Sequence, residues 1–327
     1  MKRTTRTILL FFVVLGLVCC QTLNQWTGNP PPTLRIGLVT NNLQALFFNQ
    51  MLEGAKQAAE DNNIELLIKN PNGDPQLQRD YIQEFVANQV DGIIVVSIES
   101  ELLQAAITSA ELANIPVIAV DGVLEHPGVV VQIGVDNIGG SRQMAGFFNH
   151  WAREQGLQAA QIGVIGAFES WTQNQRQQAF TERVTENQHQ IVAVADGNNE
   201  KAIAKQAAEE LLTNFPQLDA IFATGEPALI SAIAQVRFQR QTDKTVIVGW
   251  DLSPAAIQGL KEGFVLGVVQ QDPYQEGQQG VKVLMDLHQG KTVPSLMEIP
   301  IDIVTSETVS QYEGVYRWSW EDEGTGI

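Results

Sequence analysis

Cysteine is nearly absent from this 327-residue chain, since the two that occur stand side by side as Cys19 and Cys20. Neither a disulfide nor a thiolate metal site is therefore predicted after residue 20. Basic residues are also scarce, with 20 Lys and Arg against 37 Asp and Glu, and no basic run follows Arg6. Because binding to nucleic acid needs a positively charged face, this balance argues against nucleic acid as a partner.

Motifs for catalysis and cofactor binding are missing as well. The four histidines are spread over the chain and form no H-E-x-x-H pair, so no metal is predicted. The sequence contains no G-x-x-x-x-G-K-[ST] loop and no G-x-G-x-x-G after the first predicted strand, so no cofactor is predicted. Gly139-Gly140-Ser141 comes nearest to a nucleophile elbow, but Gln143 replaces its second glycine. No catalytic residue is assigned.

The first 32 residues have the pattern of an export signal and a tether. Three basic residues precede an apolar run over residues 8–20, which is shorter than the ~20 residues of a membrane-spanning helix. The run ends in Leu17-Val18-Cys19-Cys20, which resembles a lipobox. Residues 1–19 are therefore predicted to be a signal peptide, with Cys20 lipidated and residues 20–32 an extended, proline-containing tether. A plain signal peptide with two incidental cysteines is the alternative.

From residue 34 onward, short apolar runs alternate with segments of helical periodicity, which is typical of a parallel sheet covered by helices on both faces. The predicted strands are Leu34–Thr40, Ile64–Lys69, Gly92–Ser97, Pro116–Asp121, Gln161–Ile165, Ile191–Ala195, Ala220–Ala223, Thr245–Gly249 and Val265–Val269, with an extended stretch over Leu296–Thr305. At roughly 150 residues per domain, the length predicts two domains. The predicted fold class is α/β with two similar doubly wound parallel-sheet lobes, followed by an acidic tail (317–327) of unassigned role.

The residues at the carboxyl ends of the predicted strands are candidate binding residues, because ligands of open α/β sheets bind at that edge. They are Phe47, Phe48, Ser97, Asp121, Arg176, Trp250, Asp251 and Gln271, with Glu169, Trp171 and Glu226 as further candidates. Aromatic rings can stack on the apolar faces of a polyhydroxylated ligand, and charged groups can bond its hydroxyls. The alternatives are that Phe47, Phe48 and Trp250 are core residues, and that Asp121 and Arg176 form a solvated pair or a helix cap.

An ordered set of motifs resembles the periplasmic sugar-binding proteins of the ribose type, over roughly residues 33–305. The motifs are Phe47-Phe48 with Glu53-Gly54-Ala55, Asp91-Gly92-Ile93-Ile94, Ile115-Pro116-Val117-Ile118-Ala119-Val120-Asp121, Asp136-Asn137, Asn174-x-Arg176 with Phe180, Val248-Gly249-Trp250-Asp251, and Gln271-Asp272-Pro273-Tyr274 with Gly277. The resemblance implies a type I periplasmic binding protein fold. In that fold, a hinge of three crossovers would join residues 33–135 plus 272–301 to residues 136–271 plus 302–316.

The resemblance also implies roles for the candidate residues. Two aromatic rings, Phe47 and Phe48, would clamp a sugar, with Trp250 as a wall. The groups that would bond the sugar hydroxyls are Asp121, Arg176, Asp251 and Gln271.

Three departures from the ribose type change the polar set. The Arg after the fourth-strand Asp is replaced by Gly122, an Asn-Asp pair in the second lobe by Gly225-Glu226, and the Asn before the paired Phe by Ala45. A hydrogen bond contributes about 0.5–3 kcal/mol, which is enough to change the preferred sugar. We therefore expect a sugar that is larger than ribose or carries its hydroxyls differently.

By this resemblance the chain is expected to be a monomeric, lipid-anchored solute-binding protein and not an enzyme. It would lie in the periplasm or at the cell surface and deliver a monosaccharide or related molecule to the permease of an ABC importer. A ligand-sensing module for a membrane signalling receptor is the alternative, because both would present the same closed surface. A repressor is disfavoured, since residues 1–32 contain no helix-turn-helix.

Overall fold

The structure, a computed structural model, describes residues 34–43 and 45–316. The predicted signal peptide (1–19), the tether (20–32) with Cys20, and the acidic tail (317–327) lie outside the described residues. Within the described ranges, none of the helices has both the length and the apolar character needed to cross a membrane.

Strands and helices alternate along the described chain. Residues 34–134 form β1 (Leu34–Val39), α1 (Leu46–Asp61), β2 (Ile64–Lys69), α2 (Pro75–Ala87), β3 (Gly92–Val95), α3 (Ser100–Leu112), β4 (Val117–Val120) and β5 (Val129–Gly134). Residues 137–270 form α4 (Asn137–Glu154), β6 (Gln161–Gly166), α5 (Trp171–Thr185), β7 (Gln190–Asp196), α6 (Lys201–Asn214), β8 (Ala220–Ala223), α7 (Glu226–Phe238), β9 (Val246–Trp250), α8 (Pro254–Glu262) and β10 (Val265–Gln270). The remaining elements are α9 (Pro273–His288), β11 (Leu296–Glu298), β12 (Asp302–Val304), a 3-10 turn (Val309–Gln311) and α10 (Glu313–Tyr316).

The strands form two sheets of matching order. The first sheet runs β11-β5-β4-β3-β1-β2 and the second runs β12-β10-β9-β8-β6-β7. The described pairs are parallel except β10 with β12. The chain passes between the sheets three times, from β5 to β6, from β10 to β11, and from β11 to β12. The predicted fold class of two doubly wound lobes with three crossovers is confirmed.

The sequence analysis misses β5 and α4, as well as the 3-10 turn and α10 near the end of the described chain. In β5, only Val131 and Ile133 are buried, and the other positions are partly or fully exposed. Strands β3 and β4, by contrast, are buried at every position. Helix α4 opens on a glycine pair, which disfavours a helix by propensity. It forms because the Asp136 carboxylate accepts from the Gly139 N–H over 2.7 Å. Gly140 is required there, since a Cβ would lie 2.7 Å from the Trp250 ring.

Helices α1 and α9 pack with their backbones in close approach, although more than 200 residues separate them in the chain. A Cβ on Gly54 would clash with the Tyr274 carbonyl oxygen, and a Cβ on Gly277 would clash with the Met51 carbonyl oxygen. Only glycine leaves room for this approach. The contact places the first turn of α9 beside α1.

Candidate functional site

Two aspartates occupy equivalent positions in the two lobes. Asp121 follows β4 and Asp251 follows β9, and these strands hold the same place in their sheets. Each backbone N–H donates over 2.9 Å to a carbonyl of the next strand, at Ile133 and Val269 respectively. Both residues have left-handed backbones, with φ of 63° and 69°. Such strain costs up to about 1–3 kcal/mol and is concentrated at functional sites, so the surrounding fold must hold these carboxylates in place.

Arg176, on α5, is buried, and two of its three guanidinium nitrogens are engaged inside the second lobe. Its Nε donates to Asn137 Oδ1 over 2.7 Å, and its Nη1 donates to the Thr224 carbonyl oxygen over 3.1 Å. The same Nη1 lies 3.5 Å from Asp251 Oδ2. The guanidinium carbon stands 3.9 Å from the centre of the Trp250 ring. These contacts offset the cost of burying a cation and exclude a solvated pair.

Trp250 supports Arg176 from inside the core. The indole has no exposed surface, and its Nε1 donates to Ser141 Oγ over 3.2 Å. Of the two interpretations left open by the sequence, the structure therefore places this ring in the core. Its action on the site passes through the guanidinium, and its role as a wall for a ligand stays a prediction.

Gln271 links Asp251 to the crossover into α9. Its Nε2 donates to Asp251 Oδ1 over 2.7 Å. The side chain is buried, and its Oε1 has no hydrogen-bond partner among the described residues. Buried polar atoms are nearly always bonded, so an unbonded acceptor at this position indicates a place where a ligand donor can bind.

Asp121 brings the first lobe into this group. Burial raises the pKa of Asp121 to about 6, while the Arg176 guanidinium lowers it and the Asp251 carboxylate raises it. Burial lowers the pKa of Arg176, against the opposing effect of nearby carboxylates that include both aspartates. Burial also raises the pKa of Asp251, which Arg176 and the hydrogen bond from Gln271 lower. The two equivalent aspartates therefore act on one guanidinium from opposite lobes.

Two glutamates extend the acidic group. Glu276, in the first turn of α9, is fully buried, and neither of its carboxylate oxygens has a hydrogen-bond partner among the described residues. Burial, followed by repulsion from Asp121 and Asp251, raises its pKa well above the usual range. Glu226, at the start of α7, has its pKa raised to about 7 by burial and by Asp251, with Lys201 acting in the other direction.

The start of α1 lies at the junction of the lobes. Leu46 packs against the core of the second lobe, whereas Phe47 and Phe48 are partly buried against the core of the first. The two phenyl rings meet edge to face with their centroids 5.3 Å apart. Ser97 adjoins the segment after Asp121, because a Cβ on Gly122 would lie 3.1 Å from the Ser97 carbonyl oxygen.

Glu169 and Trp171 are not brought into this group. Both are exposed, since they lie in the loop after β6 and at the first position of α5. In the described part of the chain, no hydrogen bond or ion pair joins either residue to Arg176. Their assignment as ligand contacts stays a prediction.

Glu276 and Thr224 contribute to the site but were missed by the sequence analysis. An acid in the first turn of a helix is usually exposed, where it interacts favourably with the helix dipole. The helical spacing nevertheless contains the signal, because position 276 lies on one stripe with the buried residues of α9. That stripe comprises Glu276, Gly277, Gly280, Val281 and Leu284. Thr224 acts through its carbonyl oxygen, which no side-chain pattern reveals.

The chemistry available here is hydrogen bonding and charge pairing. No group of three or more His, Cys, Asp or Glu in the described ranges has the geometry to hold a metal ion. The arrangement offers one guanidinium, four acids and one amide from the two lobes, and two phenyl rings lie at the junction of the lobes. Such a set can surround a small polar molecule on several sides.

Comparison with known proteins supports this interpretation. The family model described as periplasmic binding protein domain matches residues 36–292. The ribose import binding protein of Bacillus subtilis is 22% identical over 312 residues, which cover 94% of this chain and all of that protein. The D-ribose/D-allose-binding protein of Pseudomonas aeruginosa is 26% identical over 322 residues, which cover 94% of this chain and 100% of that protein.

A solved structure shares the fold. It is an ABC transporter periplasmic solute-binding protein of Actinobacillus succinogenes with bound D-allose, at 24% identity and a TM-score of 0.79, covering 86% of this chain and all of that one. All three proteins are named as binding proteins, so the prediction of a binding protein rather than an enzyme is confirmed. The match of the family model over most of the chain also confirms the resemblance stated from the motifs: the chain belongs to the periplasmic binding protein family.

Proposed function

We propose that this protein captures a sugar between its two lobes and delivers it to an ABC-type importer. The observation that carries the proposal is the meeting of Asp121 from one lobe with Arg176 and Asp251 from the other. A ligand that bonds all three would draw both lobes together. Its binding free energy would then favour the closed arrangement over an open one.

The residues divide the work between stacking and hydrogen bonding. Phe47 and Phe48 supply aromatic surface for the apolar face of a sugar ring. Asp121, Arg176 and Gln271 supply acceptors and donors for its hydroxyls. The names of the relatives given above mention ribose and allose. The departures from the ribose type at Gly122 and Glu226 favour a ligand whose hydroxyls are arranged differently from those of ribose.

Export and anchoring complete the proposal. Residues 1–19 would be removed as a signal peptide, and lipidated Cys20 would hold the protein at the membrane, in the periplasm or at the cell surface, through the tether 20–32. The lobes, proposed as 33–135 plus 272–301 and 136–271 plus 302–316, would act as a monomer that presents its closed form to the permease.

A thermal-shift screen tests the capture of a sugar. The chain from residue 20 onward, carrying Cys20→Ala so that no lipid is attached, is heated with pentoses, hexoses, polyols and nucleosides. A ligand that binds only the folded state at a thousand times its Kd adds about 4 kcal/mol to the stability. We expect a shift with a monosaccharide. A shift with a nucleoside alone would contradict the sugar proposal while leaving the fold untouched.

Membrane fractionation tests the anchor. The full chain should sediment with membranes, and Cys20→Ala should release it into the soluble fraction. The matched control Cys19→Ala keeps the lipidated residue and should stay with the membranes. Retention of the Cys20→Ala variant on the membrane would contradict the lipid anchor.

A further inference from the structure

The buried polar atoms that remain unbonded beside Arg176 are all oxygens, which accept hydrogen bonds when Glu276 is ionised. They are both carboxylate oxygens of Glu276 and Oε1 of Gln271, none of which has a partner among the described residues. Gln271 donates through Nε2 to Asp251 Oδ1 over 2.7 Å, and no hydrogen bond joins it to Glu276 among the described residues. The missing partner must therefore be rich in donors.

Acids also outnumber cations at this place, and burial together with mutual repulsion raises their pKa values, so protons offset their charge where no further cation is present. Asp121, Asp251 and Glu276 all act on one buried guanidinium, and Glu226 lies within range of Asp251. Two of the guanidinium nitrogens already donate to Asn137 and Thr224. Buried charges are almost always paired or neutralised. A metal ion is not the counter-charge that these residues are arranged to take, because the described residues include no metal-holding group.

From these observations we infer that the preferred ligand carries a protonated amine in addition to its hydroxyls, as an amino sugar does. This inference rests on the proposed capture of a sugar and specifies the class. An ammonium group offers three N–H donors and no acceptor, which matches three unbonded acceptors. Its charge would also allow the acids of this group to ionise, because a buried carboxylate needs a cation as its partner.

Glu276 is assigned as the specificity-determining residue. The backbone approach of α9 to α1 at Gly277 and Met51 fixes the first turn of α9, so the carboxylate cannot turn away to water without moving the helix. Bonds from an ammonium to a buried carboxylate are stronger than bonds from a neutral hydroxyl. The carboxylate would therefore separate an amino sugar from its neutral parent.

Isothermal titration calorimetry at about pH 6.5 tests the inference, since an α-amino group with a pKa of about 8 is protonated there. The probes are glucosamine, galactosamine and mannosamine, each compared with its parent hexose and its N-acetyl form. We expect at least one amino sugar to bind about tenfold or more tighter than both neutral counterparts. A parent hexose that binds as tightly as its amino sugar would overturn the inference and leave sugar capture intact. Silence from every one of these probes would overturn the inference alone, because the thermal-shift screen, which includes pentoses and polyols, decides separately on sugar capture.

The Glu276→Gln variant locates the effect. The amide keeps the shape of the side chain and removes the charge, so affinity for the amino sugar should fall about tenfold or more while affinity for the neutral parent is kept or improved. Glu209→Gln, an exposed change on α6, is the matched control and should alter neither. An equal loss for charged and neutral sugars would assign Glu276 a purely structural role. If Glu276→Gln does not fold, the comparison of sugars on the unmodified protein still decides the question.

Discussion

The two lobes share one topology but present different chemistry where they face each other. In the second lobe, Arg176 is fixed by Asn137, Thr224, Asp251 and Trp250 before any ligand arrives. In the first lobe, the described contacts give Glu276 no partner for either carboxylate oxygen. The second lobe thus holds its guanidinium in a fixed position, with Gln271 Oε1 left unbonded at its edge, and the first lobe offers a carboxylate whose partner is the ligand.

This difference shows how a duplicated architecture can divide a binding task. A surface whose donors are already fixed loses little side-chain entropy when a ligand binds, so it orients the ligand at a small entropic cost. Buried polar groups without a partner are destabilising until they are bonded. Only a ligand with suitable donors therefore gains affinity from them. We expect the second lobe to hold the ligand in register and the first lobe to select it.

Removal of the Arg176 side chain should have the largest effect on stability and binding, because it removes the group that distinguishes the second lobe from the first. Arg176→Ala leaves Asp251 and Asn137 without their buried partner, which should lower the free energy of unfolding by about 3–5 kcal/mol and abolish tight ligand binding. Urea unfolding measures the first effect and calorimetry the second. Arg183→Ala removes an exposed pair with Glu186 and should cost less than about 1 kcal/mol. Equal losses in the two variants would mean that the second-lobe network is not prearranged.

A substitution that pushes α1 and α9 apart should have the next largest effect, and it destabilises the first lobe. Gly277→Ala forces a Cβ against the Met51 carbonyl oxygen, so the helices must separate, and we expect a loss of about 1–3 kcal/mol in stability. Gly146→Ala, within α4, meets no atom within 4 Å and should be neutral or gain up to about 1 kcal/mol from helix propensity. Thermal unfolding compares the two. A harmless Gly277→Ala would show that the close approach is dispensable.

The pH dependence of stability sharpens the comparison on the first-lobe side. Asp121 has its pKa raised from 3.8 to about 6, so between these values the folded state keeps a proton that the unfolded state has released. Stability should therefore fall as pH rises through this window, by about 2–3 kcal/mol from this group, and the contribution of this group should stay level above it. Urea unfolding between pH 4 and about 7.5 measures the slope, which Asp121→Asn should reduce. An unchanged slope in that variant would place the proton elsewhere.

The smallest expected effect concerns the aromatic pair. Phe47→Leu keeps an apolar side chain but removes a ring that can stack on a sugar, so affinity for the ligand found in the screen should fall by about 0.5–1.5 kcal/mol with stability nearly unchanged. Calorimetry and thermal unfolding on the same sample separate the two. A loss of stability without a loss of affinity would make Phe47 a core residue.

Much of the fold could be predicted because buried parallel strands leave a plain record. Strands such as β3 are continuous apolar runs, and Gly92–Val95 is buried throughout. β5 leaves no such record, since solvent reaches several of its residues. Helix α4 is hard to predict because Gly140 lowers the helix propensity of its first turn. That glycine is required by a close contact with Trp250, which lies more than 100 residues away in the chain.

The site divides in the same way. Asp121 and Asp251 could be predicted because carboxyl ends of parallel strands converge, and the strand-end rule needs no knowledge of packing. Glu276 lies on a helix, where the same acid would be unremarkable if the turn faced water. Its burial depends on the contact of α9 with α1, which is tertiary and leaves only the spacing of one stripe as a clue.

The contact between α1 and α9 also has a consequence for how the molecule assembles. The first lobe contains α1 near its beginning, yet it receives α9 and β11 only after β6 to β10 of the second lobe have been made. Contacts of such long sequence separation form slowly, because a large loop must close before they contribute. The second lobe can complete its sheet up to β10 from one continuous stretch, whereas the first waits for residues 273–298. Since Glu276 is made with that segment, a chain cut short before α9 would lack the selective carboxylate of the first lobe and also β12, the edge strand of the second sheet.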